Sequence, residues 1–297
     1  MEEKKRSNKK ILGWGKILIL ALVIVLLIRF FFLGSYHIIS SSMENAVLNG
    51  DFVIVDKLLF HNYPKRNRVV LFTSPLRKDT ATNKLFLSRC IGLPGDTLEL
   101  RNNILKVNGQ EVPKSPYVLA KYCIDSSVKE MMLAQFKRLN IPIREPVITD
   151  SIYTIRLTPY EEFQIRDELP EFMNVRFKPV ETEEYKLVVP QKDKAYRLDS
   201  ITQKACKEII LSEAGDKAVF RDGKLYLDGK ETTFFFFKQN YYWLLSDNTL
   251  ESIDSRHLGF VPEDALVGNA WIIWFSKDPE KDIFHGYRWN RLFKFVQ

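Results

Sequence analysis

Phe86-Leu87-Ser88-Arg89-Cys90-Ile91 runs straight into Gly92-Leu93-Pro94-Gly95-Asp96. The first six residues have the length and apolar content of a strand. The next five hold two glycines, a proline and an aspartate, a dense turn signal that stops it. Downstream, Thr97–Leu100 and Ile104–Val107 flank Arg101-Asn102-Asn103, and Asn108-Gly109 follows as a hairpin turn. Upstream, Asp51–Val55 and Arg68–Phe72 are β-branched runs of strand length, and Trp271–Phe275 reads as a last strand. This pattern predicts a mainly β domain.

The Arg101–Gln110 hairpin has an echo in Arg221–Lys230. Two copies do not make a solenoid. They mark the edges of an insertion, residues 114–220, which is richer in charge and has candidate helices over Ser127–Lys137 and Ser200–Ala214. The main β domain is therefore expected over 35–113 and 221–297, with an α+β subdomain inserted. Thr232–Trp243 is strongly aromatic and includes Phe234–Phe237. It reads as a buried central strand, because continuous apolar runs usually have both faces covered. The competing reading is a surface that touches lipid.

The chain has 297 residues, 45% apolar and 27% charged, which excludes disorder, a collagen-like repeat and a coiled coil. Net charge is +7, from 44 Lys+Arg against 37 Asp+Glu. Much of that excess sits in Lys4, Lys5, Arg6, Lys9, Lys10 and Lys16. The remainder is too balanced for a nucleic-acid surface. Cys90, Cys123 and Cys206 form no C-x-x-C pair, so no zinc or thioredoxin-type site is expected. Three buried thiols are expected, with a Cys123–Cys206 disulfide as the alternative in an oxidising compartment. No ligand cluster implies a metal or an organic cofactor.

Ile17–Ile28 is an unbroken apolar run bounded by Lys16 and Arg29, and Phe30–Leu33 extends it. A spanning helix needs about 20 mostly apolar residues. Ile11–Leu33 supplies them if Lys16 and Arg29 snorkel to the interfaces. A cleaved signal peptide is the rival, but the stretch is long and Gly34-Ser35-Tyr36 is a poor cleavage site. The expectation is a single-pass anchor in the cytoplasmic membrane. Its basic tail 1–10 faces the cytoplasm and residues from 35 onward lie on the outer side.

Ser40-Ser41-Ser42-Met43 follows this segment. Then come Arg66-Asn67-Arg68-Val69-Val70 and the Ser88–Asp96 stretch. Last are Ser246-Asp247-Asn248, Ser252-Ile253-Asp254-Ser255-Arg256 and Gly259-Phe260-Val261-Pro262. In this order they resemble the type I signal peptidase family, S26-like, over roughly residues 20–110 and 225–292. The resemblance implies a β-rich serine endopeptidase moored at the outer membrane face. Such enzymes remove signal peptides from secreted preproteins with a serine nucleophile and a lysine general base, a variant of the Ser-His-Asp logic.

By that resemblance Ser42 matches the nucleophile. Ser40 matches a second oxyanion donor, and Met43 packs against the nucleophile. Ser252 matches the serine that orients the lysine. Arg89 with Asp247, and Asp254 with Arg256, match structural ion pairs. Signal peptides and the lipid bilayer are the implied partners.

The departures matter as much. The family's lysine falls at Ser88, and a serine has no free-base form near neutral pH. Ser41 stands for glycine, Asn45 for proline, Asn67-Arg68 for Gly-Asp, Ser246 for glycine and Thr249 for arginine. Lys84 lies about 13 Å back along the strand, beyond lysine reach. His37, His61, His257 and His285 match no catalytic position of the family. A missing general base costs about 10²–10⁴-fold. Two functions therefore stay open: slow or altered proteolysis, or an impaired paralogue that binds signal peptides or partners an active peptidase.

Overall fold

A computed structural model of the chain describes residues 16–17, 19–21, 23, 33–44, 46–57, 64–75, 84–101, 104–112, 119–144, 147–148, 152–168, 178–179, 184–248, 252–282 and 284–296. Four strands open the molecule: β1 (Leu33–His37), β2 (Asp51–Lys57), β3 (Val69–Thr73) and β4 (Leu85–Gly92). They join a larger sheet in the order β1, β2, Leu266–Ser276, β3, β4, Tyr241–Leu245, Val261–Pro262, with Lys294–Phe295 also pairing the long strand Leu266–Ser276. Neighbouring strands are antiparallel. The chain is mainly β, as its short β-branched runs predict.

The sheet separates two cores. Val69, Leu71 and Leu87 pack with Met43, Val53 and Val55. Val70 and Phe72, one residue out of phase, pack with Cys90, Tyr242, Leu244 and Val261. That alternation is the period of two of a pleated strand. It explains why Val69-Val70-Leu71-Phe72 carries no polar residue: both faces are buried. Each fully buried aliphatic side chain contributes about 1.5–3 kcal/mol.

At the end of β4 the ladder to Tyr241–Leu245 slips between Trp243 and Leu244. A Cβ on Gly92 would lie 2.8 Å from Trp243 Cβ and 2.9 Å from Val189 Cγ2, so only glycine fits there. Asp96 then closes the turn. Its carboxylate accepts from the Leu93 amide at 2.6 Å and pairs with Arg66 at 3.0 Å. This turn delivers the chain to the hairpin Thr97–Arg101/Ile104–Val107. The echo at Arg221–Lys230 has the same build, with positive φ at Asn108-Gly109, Asp222-Gly223 and Asp228-Gly229.

The stretch 114–220 divides between two packing units. Strands Ala120–Asp125, Val147–Ile148, Ile152–Leu157 and Lys178–Pro179 form a separate sheet. Helices Lys129–Leu139 and Pro159–Glu168 join it around Met132, Phe136, Tyr153 and Ile165. Strand Tyr185–Val188 instead pairs with Thr97–Arg101, and helix Ser200–Ala214 packs on Leu98, Val107, Trp243 and Phe260. The helix expected over Ser127–Lys137 begins as a 3₁₀ turn at Ser126–Val128, and the one over Ser200–Ala214 has those ends. Asp199 caps the latter, accepting from the Thr202 amide while Thr202 Oγ1 accepts from the Asp199 amide.

Several expectations need correction. Phe234–Phe237 is not part of a buried central strand. Among the described residues Phe234–Phe236 pairs with Ala195–Arg197 alone, and Phe234 and Phe236 are 48% and 62% exposed while Phe235 and Phe237 are buried. The break before Tyr241 separates this ribbon from the main sheet, so one face stays open. All three cysteines are free thiols as expected, but Cys123 is half-buried where a buried thiol was expected, and the alternative disulfide between Cys123 and Cys206 is not formed. Those two residues belong to different packing units, and Cys123 Sγ lies 4.0 Å from Thr154 Oγ1. Burial pushes the Cys90 and Cys206 thiols up to about 12, which leaves them unreactive.

The expected tail 1–10 lies outside the described residues, as does most of the expected spanning segment 11–33. Leu33 opens β1, so strand begins one residue inside that range. Among the described residues no helix is long and apolar enough to cross a membrane.

Candidate active site

Ser42 sits in a tight turn between β1 and β2, where Glu44 N donates to Ser41 O and Val47 N to Met43 O. Met43 is buried in the core with Leu87 and pins the turn to β4. Ser42 itself stays partly exposed. Its Oγ donates to Leu87 O at 3.2 Å and lies 3.1 Å from Ser40 Oγ. Ser40 is exposed, so its hydroxyl can turn toward an oxyanion formed beside Ser42. In the best-studied case one such donor is worth about 3–4 kcal/mol.

Asn248 secures the turn from the other side. Its amide donates to Ser42 O at 2.9 Å and its Nδ2 to Ser41 O at 3.3 Å. The sequence motif contains Asn248, but nothing in its spacing points to this clamp.

The position expected to hold a base is closed. Ser88 is wholly buried on β4, and its Oγ lies 3.0 Å from Ser246 Oγ. Ser252, expected to orient a group at 88, does not reach it. Its hydroxyl donates to Asn248 O, four residues back in the chain. Ser246 takes that place instead. The ladder register explains it, since Leu245 pairs with Arg89 in antiparallel fashion and the next residue opposes Ser88; no sequence spacing shows that register.

Two ion pairs frame this wall. Arg89 grips Asp247 with Nε–Oδ1 2.9 Å and Nη2–Oδ2 2.6 Å, and its Nη1 donates to Asn67 O at 2.7 Å. Arg256 holds Asp254 at 2.9 and 2.8 Å. The buried Asp254 carboxylate also accepts from the Ser246 amide at 3.0 Å. Asp254 thus sets the backbone that carries Ser246, and these charges act as scaffold.

Among the described residues no alternative base stands at Ser42. Its proton points at a carbonyl oxygen, which accepts a hydrogen bond but takes no proton at neutral pH. His37 stacks on Phe52 at 4.5 Å between ring centroids. His257 lies 3.8 Å from Asp254, and His285 bonds Asp282 at 2.7 Å. Lys84 is exposed just before β4, and His61 lies outside the described residues. Among the described residues no group of three or more His, Cys, Asp or Glu is placed to hold a metal.

Comparison with known proteins now adds to the geometry. The pattern of one family, described as signal peptidase, peptidase S26, matches residues 11–156 and 232–275. Signal peptidase I P of Bacillus subtilis subsp. natto is 36% identical over 117 residues, which is 39% of this chain. This chain spans 58% of that relative's length. Signal peptidase I of Buchnera aphidicola subsp. Schizaphis graminum is 26% identical over 275 residues, 87% of this chain and 73% of that protein. Among solved structures, a signal peptidase I from Enterococcus faecalis V583 aligns with a TM-score of 0.29 and 16% identity, covering 70% of this chain and 97% of that one.

Proposed function

Because the chain belongs to the signal peptidase family, peptidase S26, we propose that it is a serine endopeptidase of signal peptidase I type, acting on the signal peptides of secreted preproteins. Ser42 is the nucleophile of this reading and Ser40 the added oxyanion donor. The observation that carries it is the partly exposed Ser42 hydroxyl, 3.1 Å from Ser40 Oγ on a turn pinned by Met43 and Asn248. In the chemistry, Ser42 Oγ adds to the scissile carbonyl, the C–N bond breaks, the amine of the downstream chain leaves carrying the proton that Ser42 gave up, and water then hydrolyses the acyl-enzyme to the carboxylate and free Ser42.

The Ser88–Ser246 pair favours a second reading, a catalytically impaired paralogue that binds signal peptides or pairs with an active peptidase. Its loss of the base would cost about 10²–10⁴-fold in rate.

A spanning helix over the expected segment, ending before Leu33 opens β1, belongs to the same proposal. It would hold the β domain at the outer face with the basic tail in the cytoplasm. Residues 16–17, 19–21 and 23 are helical, and Ile17, Ile19, Leu20 and Val23 expose apolar side chains.

The test is cleavage of a preprotein in detergent by the wild-type chain, by Ser42→Ala, and by Ser88→Lys combined with Ser246→Gly. The second change makes room for the lysine. Cleavage by wild type that Ser42→Ala abolishes supports the endopeptidase. Silence from wild type with activity gained by the double variant supports the impaired paralogue. Cleavage that survives Ser42→Ala, or silence from wild type and double variant alike, counts against Ser42 as the nucleophile.

A further inference from the structure

The unit built on Ala120–Asp125 and Ile152–Leu157 touches the Ser42 turn by two routes. At its base, Leu119 N donates to Asp247 O at 2.9 Å, and Leu119 bridges Asn248, the residue that holds Ser41 O and Ser42 O. Farther along, Arg144 extends toward Glu44, two residues past Ser42, with Nε 3.9 Å from Oε1.

Arg144 is firmly held within its own unit. Its Nη1 and Nη2 each bond the Glu161 carboxylate at 2.9 Å, and Nη1 also approaches Arg156 O at 3.4 Å. Glu161 in turn accepts from the Thr158 amide at 2.8 Å, at the start of helix Pro159–Glu168. The Arg144 side chain is only 9% exposed, and its buried Nε–H finds no hydrogen-bond partner among the described residues. A bare buried donor is costly, and the carboxylate it approaches across the gap is that of Glu44 on the serine turn. The present 3.9 Å is an ion pair and not a hydrogen bond. A shift of the turn by about 1 Å would complete the bond.

From this geometry we infer that Arg144 is a positioning residue, through which the inserted unit sets the Ser42 turn by way of Glu44. The contact tightens when a peptide occupies the Ser42 face, so the inserted unit and peptide binding are energetically coupled. This inference rests on the proposed recognition of signal peptides.

The test is a double-mutant cycle on the full chain in detergent, read as the affinity for a fluorescently labelled synthetic signal peptide. Glu44→Gln leaves the Arg144–Glu161 pair intact, so its thermal unfolding should match wild type. We expect Glu44→Gln and Arg144→Gln each to weaken peptide binding about three- to tenfold, and the double variant to be no weaker than Arg144→Gln alone. Arg144→Lys keeps the charge opposite Glu44 and should retain most of the affinity. Unchanged affinity in Glu44→Gln, or additive losses in the double variant, would overturn the inference while the recognition of signal peptides stands. Absence of peptide binding by the wild-type chain would overturn that recognition, and the inference with it.

Discussion

Two serine pairs, almost equal in length, do opposite things. Ser40 and Ser42 meet at 3.1 Å on a turn open to solvent, whereas Ser88 and Ser246 meet at 3.0 Å with no exposure at Ser88. The first pair has spare hydrogen-bonding capacity aimed outward. The second has its capacity turned inward, between β4 and the segment after Tyr241–Leu245. The difference teaches that a hydroxyl's role follows from where the backbone puts it. A tight turn after β1 lifts Ser42 clear of the sheet, while mid-strand pairing presses Ser88 into the core.

That contrast can be broken or sharpened by substitution. The largest effect is expected beside the closed pair. Asp247→Ala would leave the Arg89 guanidinium buried and without its carboxylate, which should cost about 3–5 kcal/mol in denaturant unfolding. A loss under 1 kcal/mol would mean that solvent reaches this wall. Next comes Ser88→Ala, which strands the Ser246 hydroxyl and should cost about 1–3 kcal/mol, with much of the loss recovered by adding Ser246→Ala. If the double variant is as unstable as the sum of the two singles, the pair is not the coupled contact described. The smallest effect is expected at the open pair: Ser42→Ala should change stability by no more than about 0.5 kcal/mol. A large destabilisation there would make the turn a structural serine and erase the contrast.

Much of the scaffold was legible. The β-branched Val69-Val70-Leu71-Phe72 run announced a strand, and the Gly92–Asp96 cluster announced where β4 stops. Asn108-Gly109 and Asp228-Gly229 announced turns because positive φ is cheap there. The aromatic run at Phe234–Phe237 misled, because apolar content does not reveal whether a strand has neighbours on both sides. Of the site, the motif order led to Ser42, Ser40 and the two Arg–Asp pairs. The clamp by Asn248, the exchange of Ser252 for Ser246 opposite Ser88, and the approach of Arg144 to Glu44 depend on ladder register and on contacts between segments about a hundred residues or more apart.

By itself, then, the amino-acid order determined the strand-forming runs, their turns, the apolar N-terminal stretch and the absence of lysine at position 88. These are local properties of side-chain size, backbone freedom and charge. Tertiary structure alone decided that the serine replacing the lysine is sealed against Ser246, that Ser42 faces a carbonyl, and that the inserted unit reaches the serine turn. Those facts depend on which strands pair and in what register, and local sequence does not encode the distance between residues that only folding brings together.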